Sequence, residues 1–98
     1  MAKISKANRG KNRWIGLHID QMPISRATLE DNLDKIMGNI NWKLFDLIDH
    51  EMHTLAILRT PLEDSLEARK KINSTDGIST LTTSGKIRLV RQRLGIDK

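Results

Sequence analysis

The chain has 98 residues, of which 38% are hydrophobic and 30% charged; this composition suits one globular domain and excludes wholesale disorder. The absence of cysteine excludes a disulfide scaffold, a thiolate metal site and a cysteine nucleophile. The net charge of +5 is placed at the ends, because residues 1–13 carry +5, residues 84–98 carry +4 and the residues between them carry −4.

Residues 1–12 are polar and basic, so we expect them to form a flexible N-terminal arm. A single domain is expected to occupy residues 13–98. Its first element is a predicted strand at residues 13–20, because apolar side chains alternate from Ile15 to Ile19 and therefore share one face.

A helix is predicted next, with Ser25 as its N-cap and Gly38 as the left-handed residue that ends it. An apolar stripe lies between these two residues, as in a helix that packs against a sheet. Residues 42–49 and 54–59 then predict two strands. Because only a short polar connection separates them, they are expected to form an antiparallel hairpin.

The segment after the hairpin contains the signals of a second helix. Thr60 is a predicted N-cap, and Pro61 suits the first helical position. Leu62, Leu66 and Ile72 are expected to supply its apolar stripe.

Residues 78–83 are rich in β-branched side chains and predict a strand. Ser84 then caps a predicted last helix at residues 85–94, which Gly95 ends. The order of the elements is the ferredoxin-like βαββαβ pattern with one extra C-terminal helix. We therefore predict an α+β fold, a two-layer sandwich with an antiparallel sheet and helices packed on one face.

The sequence offers no catalyst made of protein side chains. It contains no glycine-rich phosphate loop and no nucleophile motif. His50 and His53 flank the predicted hairpin, but a metal site would need further ligands from elsewhere. His18 is interpreted as a packed or surface histidine. We therefore expect no catalytic residue, no metal ligand and no cofactor bound by the protein.

The βαββαβ order also occurs in the RNA-recognition module, which stacks bases on aromatic residues of its third strand. The corresponding strand here, residues 53–59, contains no aromatic residue. Base stacking on the sheet is therefore not favoured, although Trp14 could offer one platform. Trp42 and Phe45 are interpreted as core or partner contacts.

Phosphate contact remains as the mode of RNA binding, because a polyanion held by both ends is the simplest use of the charge distribution. On the last helix Arg88 and Arg91 are three residues apart and so lie on one face. A solvated amphipathic helix with a basic face is the alternative interpretation. The predicted RNA-binding residues are Lys3, Lys6, Arg9, Lys11, Arg13, Ser84, Gly85, Lys86, Arg88, Arg91 and Arg93.

Several segments resemble one protein family. Thr83-Ser84-Gly85-Lys86-Ile87-Arg88, followed by the basic helix, resembles the C-terminal hallmark of the archaeal ribonuclease P protein component two family, which is close to Ser-Gly-Thr-Ile-Arg. Arg13-Trp14-Ile15 resembles the Arg-Tyr-Ile opening of the family's first strand. Ile24-Ser25-Arg26 and Ala56-Ile57-Leu58-Arg59 resemble the start of its first helix and its central strand. In the hallmark, Lys86 stands where the family usually has Thr.

The resemblance implies a ferredoxin-like subunit of ribonuclease P, the ribonucleoprotein that matures the 5′ end of precursor tRNA. The subunit would be non-catalytic, because the RNA, with Mg²⁺, would perform the hydrolysis. Its partners would be the ribonuclease P RNA with precursor tRNA and the TIM-barrel-like protein subunit, paired as a two-plus-two assembly. Carried over by position, the RNA contacts would be Arg13, Ser84, Gly85, Arg88 and Arg91; Lys86 is added on charge alone.

Two other functions stay open. A general or ribosome-associated RNA-binding protein would have the same basic ends and would bind unrelated RNAs with similar affinity. A protein-interaction module of the same fold would dock a partner on the sheet face that carries Trp14.

Since no apolar run approaches the roughly 18 residues that span a bilayer, and no apolar signal segment follows the basic N-terminus, we expect a cytoplasmic protein without membrane contact.

Overall fold

The computed structural model describes residues 11–50 and 52–96 of the chain. The strands are β1 (Asn12–Ile19), β2 (Lys43–His50), β3 (His53–Pro61) and β4 (Ile78–Ser84), and the helices are α1 (Arg26–Met37), α2 (Ser65–Asn73) and α3 (Ile87–Leu94). The strands form one antiparallel sheet in the order β2-β3-β1-β4. This is the ferredoxin-like arrangement with an additional helix, so the predicted fold class is confirmed.

The main core lies between one face of the sheet and helices α1 and α2. Ile15 and Leu17 of β1 are fully buried there, as the alternation in the sequence predicted. The predicted positions of both ends of α1 are also confirmed, although Gly38, with ψ −114°, is not in the left-handed helical conformation. Ser25 Oγ accepts a hydrogen bond from the backbone N–H of Thr28 at 3.1 Å, and Gly38 adopts a positive φ of 63° just after the last turn.

Helix α3 lies on the opposite face of the sheet, so the prediction that the helices share one face is wrong for this helix. The contact is made at Gly16 of β1, where an added Cβ atom would lie 3.1 Å from Val90 Cγ1 and 3.1 Å from Leu94 Cδ1. Ile57, the residue of β3 opposite Gly16, is fully buried although it lies outside the main core. A glycine in the middle of β1 thus permits the close approach of a helix.

The start of the second helix differs from the prediction. Strand β3 continues to Pro61, and a single 3₁₀ turn (Leu62–Asp64) separates it from α2. Thr60 is therefore buried within a strand instead of capping a helix, because it pairs with Arg13 of β1. As a consequence Leu66 faces solvent with 57% of its surface exposed, and Ala68 and Ile72 form the buried side of α2.

Thr60→Val is expected to raise the free energy of unfolding by about 1 kcal/mol. Thr60 Oγ1 is buried, and it has no hydrogen-bond partner among the residues that the structure describes. The matched control is Thr54→Val, because Thr54 is also buried but donates a hydrogen bond to the Gln21 carbonyl at 2.9 Å. Urea unfolding of both variants checks this, and an equal loss of stability at the two sites would contradict it.

Two further predicted boundaries differ slightly from those in the structure. The hairpin is tighter than predicted, because β2 extends to His50 and β3 begins at His53. The predicted arm overlaps β1, which begins at Asn12; its residues 1–10 lie outside the described part of the chain. Among the described residues, no helix has the length and apolar character needed to cross a membrane.

Candidate nucleic-acid interface

The predicted RNA-binding residues of the arm are only partly described. Lys3, Lys6 and Arg9 lie outside the described residues. Lys11 is exposed immediately before β1, and its carbonyl accepts a hydrogen bond from the backbone N–H of Leu62 at 3.2 Å. The described interface therefore begins at the first residues of β1.

The structure brings Arg13 next to Gly85, although they are 72 positions apart in the sequence. A Cβ atom on Gly85 would lie 3.1 Å from a terminal guanidinium nitrogen of Arg13. The same nitrogen donates a hydrogen bond to the Asn12 carbonyl at 3.0 Å, which holds the guanidinium beside the strand. The antiparallel pairing of Trp14 with Ser84 explains the approach, because it aligns the start of β1 with the end of β4.

Ser84 caps a turn and not the helix itself. Its hydroxyl accepts a hydrogen bond from the backbone N–H of Lys86 at 3.2 Å. Lys86 has an extended backbone, with φ −132° and ψ 128°, so α3 begins only at Ile87 and the predicted helix start at Gly85 is two residues early. Lys86 is exposed at this junction. Gly95, in the left-handed conformation, ends the helix as predicted.

The arginines of α3 fall into two groups. Arg88 is exposed and makes no hydrogen bond or ion pair with the described residues. Arg91 holds Asp46 of β2 with two hydrogen bonds, from Nε to Oδ2 at 2.7 Å and from a terminal nitrogen to Oδ1 at 3.1 Å. Arg93 donates to Thr82 Oγ1 at 2.9 Å and to the Thr83 carbonyl at 3.1 Å.

These contacts give Arg91 and Arg93 a structural role. Each joins α3 to the sheet, Arg91 across to β2 and Arg93 back to β4. Their RNA contacts stay predictions, whereas the exposed side chains of Arg88 and Lys86 form no hydrogen bond or ion pair with the described residues. The described cations best placed for phosphate are therefore Arg13, Lys86 and Arg88.

A β-bulge in β2 changes which side chains reach the face that carries α3. Leu44 pairs with Leu58 and Asp46 pairs with Ile57, so Phe45 is an extra residue between two successive pairs. Phe45 and Asp46 consequently lie on the same face, opposite the buried Leu44. Asp46 thereby reaches α3, and Phe45 reaches Trp14 of β1.

Trp14, Phe45, Arg59 and Lys43 form one cluster at the end of this face, which we name the aromatic platform. The rings of Trp14 and Phe45 meet edge to face, with centroids 4.7 Å apart. The Arg59 guanidinium lies 5.8 Å from the Trp14 ring centroid and 5.2 Å from that of Phe45. Lys43 Nζ lies 5.5 Å from the Phe45 ring centroid. All four distances are within the range of favourable aromatic and cation–π contacts.

The sequence prediction missed three members of the platform. Phe45 was interpreted as a core or partner contact, and Arg59 and Lys43 were not considered for RNA binding. Trp42, by contrast, packs against the main core as interpreted. The strand register supplies the missing signal, because Arg59 pairs with Trp14 on one side and with Lys43 on the other.

The platform carries uncompensated positive charge. Within residues 11–50 and 52–96, neither Arg59 nor Lys43 forms an ion pair with a carboxylate. The carboxylate next to Phe45 in sequence, that of Asp46, is held by Arg91. Arg13 precedes Trp14 in β1, so by strand alternation its side chain starts from the opposite face, and it reaches the β4–α3 junction at Gly85 around the end of the sheet.

The histidines gather at the other end of the same face. The rings of His18 and His53 have centroids 4.4 Å apart, and those of His50 and His53 are 5.2 Å apart. In the described part of the chain, no group of three or more His, Asp or Glu residues is arranged to hold a metal ion. The sequence did not indicate that His18 joins the hairpin histidines, because cross-strand register determines that contact.

Comparison with known proteins does not assign the chain to a family. No family model matches the chain, and no curated protein shows significant sequence similarity to it.

Proposed function

We propose that the chain is the small, non-catalytic protein subunit of ribonuclease P, which binds the catalytic RNA and supports 5′ maturation of precursor tRNA. One observation carries the proposal: Arg13, from the start of the domain, lies beside the Ser84–Arg88 segment that resembles the family hallmark. Two separate basic segments thus form one surface suited to a phosphate backbone. Any Mg²⁺ in such a complex would serve the RNA.

The proposed protein partner is the TIM-barrel-like subunit, in a two-plus-two assembly. An exposed apolar surface is available for a protein contact, since Leu62 and Leu66 expose 39% and 57% of their surface at the start of α2. This surface borders the basic start of β1, because the backbone N–H of Leu62 donates a hydrogen bond to the Lys11 carbonyl at 3.2 Å. A protein bound there would therefore lie beside the N-terminal part of the proposed RNA surface.

The decisive experiment is to tag the chain in its native cell, purify it gently, and sequence the RNA and identify the proteins that accompany it. Recovery of one enriched RNA with the ribonuclease P core, together with a TIM-barrel-like protein, would support the proposal. Ribosomal RNA or a mixture of RNAs would favour the general RNA-binding protein instead. Recovery of protein without RNA would favour the protein-interaction module.

The double variant Lys86→Ala/Arg88→Ala is expected to weaken RNA binding and to flatten its dependence on salt by about two units of slope, one for each lost phosphate contact. Both side chains are exposed, so the fold should tolerate the change. The matched control, Lys35→Ala/Lys70→Ala, removes the same charge from α1 and α2. Binding isotherms at several salt concentrations measure both slopes, and equal slopes for the two variants would remove the junction from the RNA site.

A further inference from the structure

We infer that the aromatic platform holds one unpaired nucleotide of the bound RNA, with its base against the rings and the Arg59 guanidinium and its phosphate against Lys43. The inference rests on the proposed RNA-binding function and extends it. It assigns a site for a single-stranded element to a protein whose sequence predicted backbone contacts alone.

The side chains of the aromatic platform are of the kinds that stack with a nucleotide base. Bases of single-stranded RNA stack on aromatic rings and on arginine guanidinium planes, and the platform combines both. Trp14 and Phe45 are each partly exposed, and their rings are held by contact with each other. The Arg59 guanidinium, lying between 5 and 6 Å from both ring centroids, is already oriented by them before any RNA binds.

The charges of the aromatic platform favour a phosphate ligand. Two cations on neighbouring strands, Lys43 and Arg59, face each other in a directly paired register. No carboxylate in the described part of the chain forms an ion pair with either of them. Like charges in such a position are unfavourable, and a phosphate group would compensate for both of them.

The aromatic platform lies close to the basic β4–α3 junction. Trp14 pairs with Arg59 on one side and with Ser84 on the other, so the platform borders the β4–α3 junction. The platform and the junction therefore lie at the same end of the sheet. Helix α3, which packs on this face at Gly16, leaves the end of the sheet at Trp14 and Arg59 partly exposed.

The experiment uses the intact chain with Trp42→Phe, which leaves Trp14 as the only tryptophan and hence as a fluorescent probe inside the platform. The ligands are a ten-nucleotide oligouridylate, a blunt RNA duplex of ten base pairs, and the same duplex with one unpaired 3′ nucleotide. We expect the oligouridylate and the overhang to quench Trp14 emission. The blunt duplex is expected to bind with little quenching.

Two conservative variants test the stacking without removing charge. Phe45→Leu keeps an apolar side chain of similar size, and Arg59→Lys keeps the positive charge but removes the planar guanidinium. Each is expected to weaken oligouridylate binding about tenfold, the usual effect of losing a base-stacking partner. Arg69→Lys on α2 is the matched control and should bind as the parent protein does.

The outcomes separate the platform from the proposed function. If RNA binds but Trp14 emission does not change, and both variants bind like the control, the platform is not a nucleotide site and the RNA-binding function stands. If none of the three RNAs binds, and the ribonuclease P RNA tested beside them does not bind either, both proposals are overturned. The fluorescence measurement needs no substitution in the platform itself, so it decides the question even where a variant fails to fold.

Discussion

Asp46→Asn is expected to lower the free energy of unfolding by about 1–2 kcal/mol, because it removes the charge from a two-bond pair with Arg91. The Asp46 side chain is only 19% exposed and that of Arg91 39% exposed, so water replaces the lost contact incompletely. Most exposed ion pairs contribute less than this, since they are solvated on both sides. The pair joins α3 to β2 across 45 positions of the sequence.

A double-mutant cycle measures this coupling. Asp46→Asn, Arg91→Gln and the double variant are unfolded in urea, and the two single losses should exceed the loss in the double variant by about 1 kcal/mol or more. A cycle on Asp31 and Lys35, whose charged atoms are 3.9 Å apart on exposed turns of α1, provides the control and should show little coupling. Additive losses for Asp46 and Arg91 would contradict the assigned anchor.

The same variants separate the two roles proposed for the arginines of α3. Arg91→Gln should leave the salt dependence of RNA binding close to that of the parent protein at temperatures where both are folded. Arg88→Gln should flatten it by about one unit with no loss of stability. An equal change of slope for both residues would show that Arg91 leaves Asp46 and contacts the RNA directly.

The elements determined by local sequence could be predicted well. The alternation from Ile15 to Ile19 is sufficient to assign one face of β1 to the core, because the side-chain period of a strand is two. The limits of α1 follow from Ser25 and Gly38, whose side chain and backbone freedom act within a few residues of their own positions. The βαββαβ order then follows from the elements themselves.

Features determined by long-range register could not be predicted in this way. The bulge at Phe45 places Asp46 on the same face as Phe45, where simple alternation from Leu44 would put it on the opposite face, and nothing in the local sequence marks it. Arg88 and Arg91 look equivalent in sequence, yet one meets Asp46, 45 positions away in sequence, and the other is exposed. The local sequence makes Thr60 look like a helix cap. Its place in β3 depends on pairing with Arg13, which is distant in sequence.

The candidate site also combines features that local sequence determines with features that strand register determines. Its terminal cations, Arg13, Lys86 and Arg88, could be predicted from composition and charge, because basic residues cluster at both ends of the chain. Its aromatic part could not, since Trp14 and Phe45 come together only through β3, which contributes Arg59 between them. A candidate surface assembled from three strands can thus be predicted only in part from the order of residues.

Gly16→Val is expected to lower the free energy of unfolding by about 1–3 kcal/mol, as overpacking of a closely packed contact does. The first added carbon alone would lie 3.1 Å from Val90 Cγ1 and from Leu94 Cδ1, closer than side chains normally pack. Strand propensity acts in the opposite direction, because Val is favoured over Gly in a strand. A loss of stability would therefore report the position of α3 on this face.

Val90→Ala supplies the control for that contact. Val90 is fully buried, so its truncation alone should also destabilise the protein. In the Val90→Ala background, however, Gly16→Val should cost less than in the parent protein, because part of the obstructing side chain is gone. Urea unfolding of the four proteins measures the difference, and an undiminished cost would mean that another group meets the new side chain.

RNA binding gives this last variant a functional consequence. Gly16→Val changes no charge, so a surface made only of independent cations should bind RNA unchanged under conditions where the variant is folded. If α3 positions Lys86 and Arg88 against Arg13, displacing the helix should instead weaken binding while total charge stays the same. Comparing the affinity of Gly16→Val with that of Gly38→Ala, a backbone change remote from α3, distinguishes a geometric requirement from a general loss of stability.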